Sequence, residues 1–141
     1  MTDAERNVIE RACERLLIDY ARYVDFRNYP ALIALFTDDG VLTVFGNEMR
    51  GPKVIREFLD ARPLNRKSMH LITNGWTNVI DADHAEGGSY ITLFRADQDG
   101  DGPARVPGPM LTGCYETKYL RTAKGWRIAT CNATQVFNCY S

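Results

Sequence analysis

The sequence is poor in the features that mark several broad classes of function. Positive charge is not concentrated: 17 Lys and Arg against 18 Asp and Glu leave a net charge of −1, and no basic run or stripe offers a footprint for nucleic acid. Long apolar runs are missing as well. None approaches the roughly 18 residues that a membrane-spanning helix needs, and Met1-Thr-Asp-Ala-Glu5 is acidic and polar where a secretory leader would be basic and then apolar. A cytoplasmic location is therefore expected. Histidine is scarce, with only His70 and His84, and the four cysteines (Cys13, Cys114, Cys131, Cys139) form no C-x-x-C pair. No zinc site assembles from that set, and neither metal nor cofactor is expected. Three of the cysteines sit among apolar neighbours and read as buried, reduced thiols. No phosphate-cradling loop and no internal repeat is found, and Gly87-Gly-Ser-Tyr90 is no G-x-S-x-G elbow. These absences leave a small neutral or apolar molecule, or a second copy of the chain, as the expected partner.

What is present is the composition of one ordinary globular domain. At 141 residues, 45% apolar and 25% charged, the chain is long enough to bury a core without covalent staples, and residues 1–141 read as a single domain. Thr2-Asp-Ala-Glu5 has capping-box spacing, so a helix can start at once. Ile9, Cys13, Leu16, Leu17, Tyr20 and Val24 then gather on one stripe at helical period. Asp25 falls at the margin of that stripe. Asn28-Tyr-Pro30 ends this helix, and a second is expected from Pro30 to Phe36, closed by Thr37-Asp-Asp-Gly40. A short strand is expected at Val41–Phe45, turning at Gly46-Asn47 into Glu48–Arg50, followed by a helix from Pro52 to about Ala61. The remainder reads as strands: 67–80, 85–96, 110–122 and 126–137, with turns at Asp81–Ala85 and Ala123–Gly125 and a polar loop at 97–109. Helices first and long antiparallel strands afterwards argue an α+β fold. Asp97-Gln-Asp-Gly-Asp-Gly102 copies half of a calcium loop, but Arg105 and Gly108 occupy later ligand positions and the flanks are strands, so it is read as a plain loop.

The order of elements, with Tyr20, Val24-Asp25, Leu35-Phe-Thr-Asp-Asp-Gly40, Gly51-Pro-Lys-Val-Ile55, His70, Tyr90 and Gly125-Trp-Arg-Ile128, resembles the SnoaL-like branch of the nuclear transport factor 2-like superfamily. The resemblance covers nearly the whole chain. It implies a cone in which three N-terminal helices pack on a strongly curved, mostly antiparallel sheet around a pocket. It implies self-association as a homodimer or homotrimer through the sheet's outer face. The same cone hosts polyketide cyclases, ketosteroid isomerases, scytalone dehydratase, a dehydrochlorinase and small subunits of ring-hydroxylating dioxygenases, so fold does not dictate activity.

Chemistry rests on few groups. His84 sits in a turn and reads as solvated, whereas His70 lies within Met69-His-Leu-Ile72, where a buried ring needs a partner. In scytalone dehydratase and the dehydrochlorinase an Asp at the Asp25 position orients a His at the His70 position, and the resemblance implies those two roles here. A carboxylate on one imidazole nitrogen fixes the tautomer and leaves the other nitrogen as a general base. The chain departs from these relatives at Val24 and Phe45, where scytalone dehydratase has tyrosines, and at Tyr20, where the dehydrochlorinase has lysine. A lyase or isomerase that abstracts a proton from an apolar, cyclic or aromatic substrate is the leading expectation. The alternative is a non-catalytic ligand-binding protein or a dioxygenase-type small subunit. Tyr20 has two readings, as core packing or as a phenol donating to an oxyanion. Tyr20, Tyr23, Phe45, Phe94 and Trp126 are the expected apolar lining, and Asn132 reads equally as a substrate contact or as solvent-facing.

Overall fold

The computed structural model describes residues 1–140. Helix α1 (Asp3–Asp25) starts where the capping box places it: Glu5 N–H donates to Thr2 Oγ1 at 3.1 Å and Thr2 N–H to Glu5 Oε2 at 2.8 Å. Two short helices follow, α2 (Tyr29–Ile33) and α3 (Pro52–Asp60), each with proline in its first turn, where the missing N–H costs nothing. Six strands complete the chain: β1 (Phe36–Val44), β2 (Asn47–Arg50), β3 (Arg66–Val79), β4 (His84–Asp97), β5 (Leu111–Thr122) and β6 (Gly125–Asn138). The four long strands lie within a residue or two of their expected bounds.

One element departs from the sequence reading. Phe36-Thr-Asp-Asp-Gly40 is not the end of α2 but the first half of β1. Its composition suits a helix stop, yet Phe36 pairs with Ile128 and Ile128 N–H donates to Leu35 O at 2.8 Å. A long-range partner thus overrides the local preference. The register shift between Phe36 and Val41 absorbs the mismatch as a bulge.

The sheet runs β2-β1-β6-β5-β4-β3, with every neighbour antiparallel except the parallel pair β1 and β6. It is open, with β2 and β3 at its edges. Further register shifts in β3 (Thr73/Trp76) and between β5 and β6 (Thr112/Gly113, Lys118/Tyr119) bend it into a cone-like trough. At Gly113 a Cβ would collide with the Thr134 carbonyl, so only glycine lets the two strands approach there. The concave face and α1 share the core: Cys13, Leu17, Leu42, Ile55, Leu59 and Ile128 are almost wholly excluded from water. All four cysteines are free; Cys13 and Cys131 are buried, and burial pushes each of these two thiols up to about 12. Among the described residues no helix is long and apolar enough to cross a membrane.

Candidate active site

Asp25 is the last residue of α1, where the negative end of the helix dipole disfavours a carboxylate by roughly 0.3–1 kcal/mol. Donors from elsewhere offset that cost. Ser68 Oγ donates to Asp25 Oδ1 at 2.8 Å, His70 N–H donates to Oδ2 at 2.9 Å, and His70 Nδ1 lies 2.6 Å from Oδ1. An ionised carboxylate only accepts, so Nδ1 carries the proton in this contact and Nε2 is left unprotonated in the neutral ring. The His70 and Asp25 side chains are 13% and 12% exposed. Along β3 the alternation explains why: Ser68, His70 and Ile72 point toward the core side, while Met69 and Leu71 are exposed on the other face.

A second layer fixes the first. Arg62 donates from one nitrogen to Val24 O and Tyr29 Oη, both at 2.9 Å, and from the other to Ser68 Oγ at 2.8 Å. It therefore joins the end of α1 to β3. Arg27 adds bonds to Tyr29 Oη, Pro63 O and Arg66 O at 3.2, 2.5 and 3.1 Å. Its backbone is left-handed (φ 60°), a conformation few non-glycine residues hold without such restraint.

His70 opens onto a cavity of about 390 Å³. Tyr20 and Val24 of α1, Val44 and Phe45 of the β1–β2 hairpin, and Ile91, Leu93, Leu111 and Tyr115 of the sheet form its apolar walls. Tyr20 and Tyr115, both 4% exposed, meet edge to face with centroids 5.6 Å apart. Burial raises both phenols well above their ordinary value, which makes them neutral donors rather than phenolates. Asn47, Arg62, Arg66 and Arg95 are its other polar lining residues.

Of the residues singled out from sequence, Asp25 and His70 touch, and His70, Tyr20 and Phe45 border the cavity. The others lie elsewhere. Tyr23 is half-buried against the core without reaching the cavity. Phe94 borders a groove with Ala104 and Val106 on the outer side of β4. Trp126 packs near the start of α1 with Arg6 and Ile9. Asn132 is exposed beside Trp76 on the outer face. Phe94 and Asn132 miss by parity: Phe94 adjoins inward Leu93, and Asn132 separates inward Cys131 from Ala133. Sequence reasoning overlooked Ser68, Tyr115 and the three arginines. Alternation with Leu111 along β5 was the available signal for Tyr115, and alternation with Leu93 along β4 for Arg95. Among the described residues no group of three His, Cys, Asp or Glu stands close enough to hold a metal ion.

Solved structures share this architecture. A hexachlorocyclohexane dehydrochlorinase from Novosphingobium barchaimii superposes with a TM-score of 0.78 at 20% identity, over 97% of this chain and 92% of that one. A candidate scytalone dehydratase from Novosphingobium aromaticivorans gives 0.78 at 19% identity, over 93% and 87%. A candidate aromatic ring hydroxylase from the same organism gives 0.72 at 26% identity, over 89% and 87%. No curated protein matches the chain by sequence. The SnoaL-like domain family matches residues 8–132. With this match and the open, bent sheet in agreement, the chain belongs to the SnoaL-like family of the nuclear transport factor 2-like fold.

Proposed function

We propose that the protein is a cofactor-independent lyase or isomerase in which His70 Nε2 abstracts a proton from a small cyclic or aromatic substrate held in the cavity. The observation that carries this reading is the 2.6 Å contact between His70 Nδ1 and Asp25 Oδ1 inside an apolar cavity wall. Asp25 fixes the tautomer that presents Nε2 as a base and balances the positive charge that the ring gains in the reaction. Tyr20 and Tyr115 are the neutral donors on hand for a developing enolate or alkoxide oxygen. Phe45, on the half-exposed hairpin tip, borders the bound ring.

Ring opening of nitrobenzisoxazole, a proton abstraction from carbon, tests the base without knowledge of the natural substrate. The wild-type protein accelerates it at neutral pH, and His70→Ala lowers the rate by about 10²-fold or more. Equal rates for the two proteins would sink the assignment.

A second reading is supported by the likeness to a candidate aromatic ring hydroxylase and by the exposed apolar side chains Met69, Leu71, Trp76, Tyr90, Val136 and Phe137 on strands of the sheet. In it the cone binds a ligand without converting it and the apolar residues dock other subunits. Self-association as a dimer or trimer through that face fits either reading. Light scattering gives the copy number, and a stable complex with a dioxygenase large subunit would favour the second.

A further inference from the structure

The cavity is apolar on most sides but not on all. Arg62, Arg66 and Arg95 line one part of it, and neither Asp nor Glu is among its lining residues. Their partners differ. Arg62 is spent on three neutral acceptors. Arg66 holds Asp97 in a two-pronged ion pair at 2.8 and 3.1 Å. Arg95, half-buried, makes no side-chain hydrogen bond or ion pair with any described residue. Burial, followed by the nearby Arg66, holds its guanidinium below the ordinary value, and Arg62 pushes the same way. Of the three guanidinium groups at the cavity, Arg95 alone is left without a hydrogen-bond or ion-pair partner.

The placement relative to the dyad is set by the sheet. Arg95 is the register partner of Ser68, and Leu93 that of His70. Arg95 therefore stands two residues from the His70 row on the same face, on the order of 7 Å along the strands. That distance is the width of a six-membered ring with its substituents. A half-buried guanidinium without a partner is a costly group to keep, and it is a planar fork suited to a carboxylate.

Building on the proton-abstraction reading, we infer that the substrate is an apolar ring bearing a carboxylate, and that Arg95 binds this carboxylate while the ring lies across the cavity toward His70. A monoanion matches the one guanidinium at the cavity that lacks a partner. A phosphate dianion exceeds it. The near-neutral net charge of the chain conceals this site because it sums over the whole molecule and carries no sign of a local excess.

The test is a calorimetric titration of the intact protein with 2-naphthoate, its neutral isostere methyl naphthyl ketone, and naphthyl phosphate. Naphthoate binds wild-type protein about tenfold tighter than the ketone, and the advantage shrinks as salt is raised. Arg95→Gln removes that advantage and leaves ketone affinity unchanged, while Arg95→Lys keeps part of it. Circular dichroism and a urea midpoint check that each variant folds; if the glutamine variant does not, the lysine variant and the wild-type salt series decide. Equal binding of naphthoate and ketone, no binding of naphthoate at millimolar concentration, an equal loss of both ligands in the variants, or tighter binding of the phosphate would each overturn the assignment. The titration reads no turnover. His70→Ala retains the naphthoate preference even if the dyad proves inert, so the two proposals fail separately.

Discussion

The protein contains two His–Asp contacts of nearly the same length. His70 Nδ1 lies 2.6 Å from Asp25 and His84 Nδ1 lies 2.8 Å from Asp81. Their surroundings have little in common. The first joins residues 45 positions apart, across the junction of α1 and β3, with both side chains almost closed to water. The second spans three residues in the turn before β4, with side chains 55% and 56% exposed. Asp81 is occupied mainly in accepting the N–H groups of Asp83 and His84, as a turn-forming carboxylate does. Water competes for every bond in the turn, whereas beside the cavity the carboxylate's partners are fixed and its field is little screened. Distance alone therefore does not distinguish the two contacts. Burial, remote origin and a bordering cavity do.

Paired substitutions sharpen this contrast. The largest separation is expected in catalysis: with nitrobenzisoxazole as substrate, His70→Ala loses about 10²-fold or more, while His84→Ala stays within about twofold of wild type. Similar losses in both would erase the distinction. Stability comes next. Asp25→Asn removes the charge from three hydrogen bonds in a nearly closed site and is expected to cost about 2 kcal/mol in urea denaturation at neutral pH. Asp81→Asn should leave the midpoint almost where it was. A smaller effect is expected from Ser68→Ala, which deprives Asp25 of one donor and releases one tie to Arg62; turnover falls about three- to tenfold with little change in substrate affinity. An unchanged rate would show that the carboxylate is held well enough by β3 alone.

The smallest effect concerns pH. The bond from the Asp83 N–H, and next the bond to His84, hold the Asp81 carboxyl below its ordinary value of 3.8. A depressed folded value means that the contribution is present above about 3.8 and is lost as pH falls through the folded value. The slight gap in urea midpoint between wild type and Asp81→Asn should thus close between pH 6 and pH 2 or 3. A gap that widened in acid would contradict this sign.

Much of this architecture was legible before the structure because it is local. The capping box at Thr2 and Glu5, the prolines at the starts of α2 and α3, and the β-branched runs of β3 to β6 all act within a few residues of themselves. The start of β1 was not legible, since Thr37-Asp-Asp-Gly40 becomes strand only through β6. In the site, Asp25 and His70 were identifiable through resemblance to relatives and not through spacing, because a separation of 45 positions carries no distance information. The cavity wall was read less well. On β4 plain alternation carries the inward row from Leu93 to Arg95 past Phe94, whereas on β6 a bulge shifts the parity between Ile128 and Cys131, so that Ala133 and not Asn132 stands inside. Nothing in the sequence sets Arg62, Arg66 and Arg95 apart from the surface charge that arginine in a nearly neutral chain usually is.

Asp25 takes one of its hydrogen bonds from the backbone N–H of His70 itself. The same carboxylate that orients the imidazole is thus also a fastener between the end of α1 and an edge strand of the sheet. A chain in which α1 has not docked has neither an oriented base nor that protected amide. On the proposed mechanism, the appearance of activity during refolding and the loss of exchange at the His70 amide should therefore follow one time course, with catalysis serving as a clock for the docking of the first helix onto the edge strand of the trough.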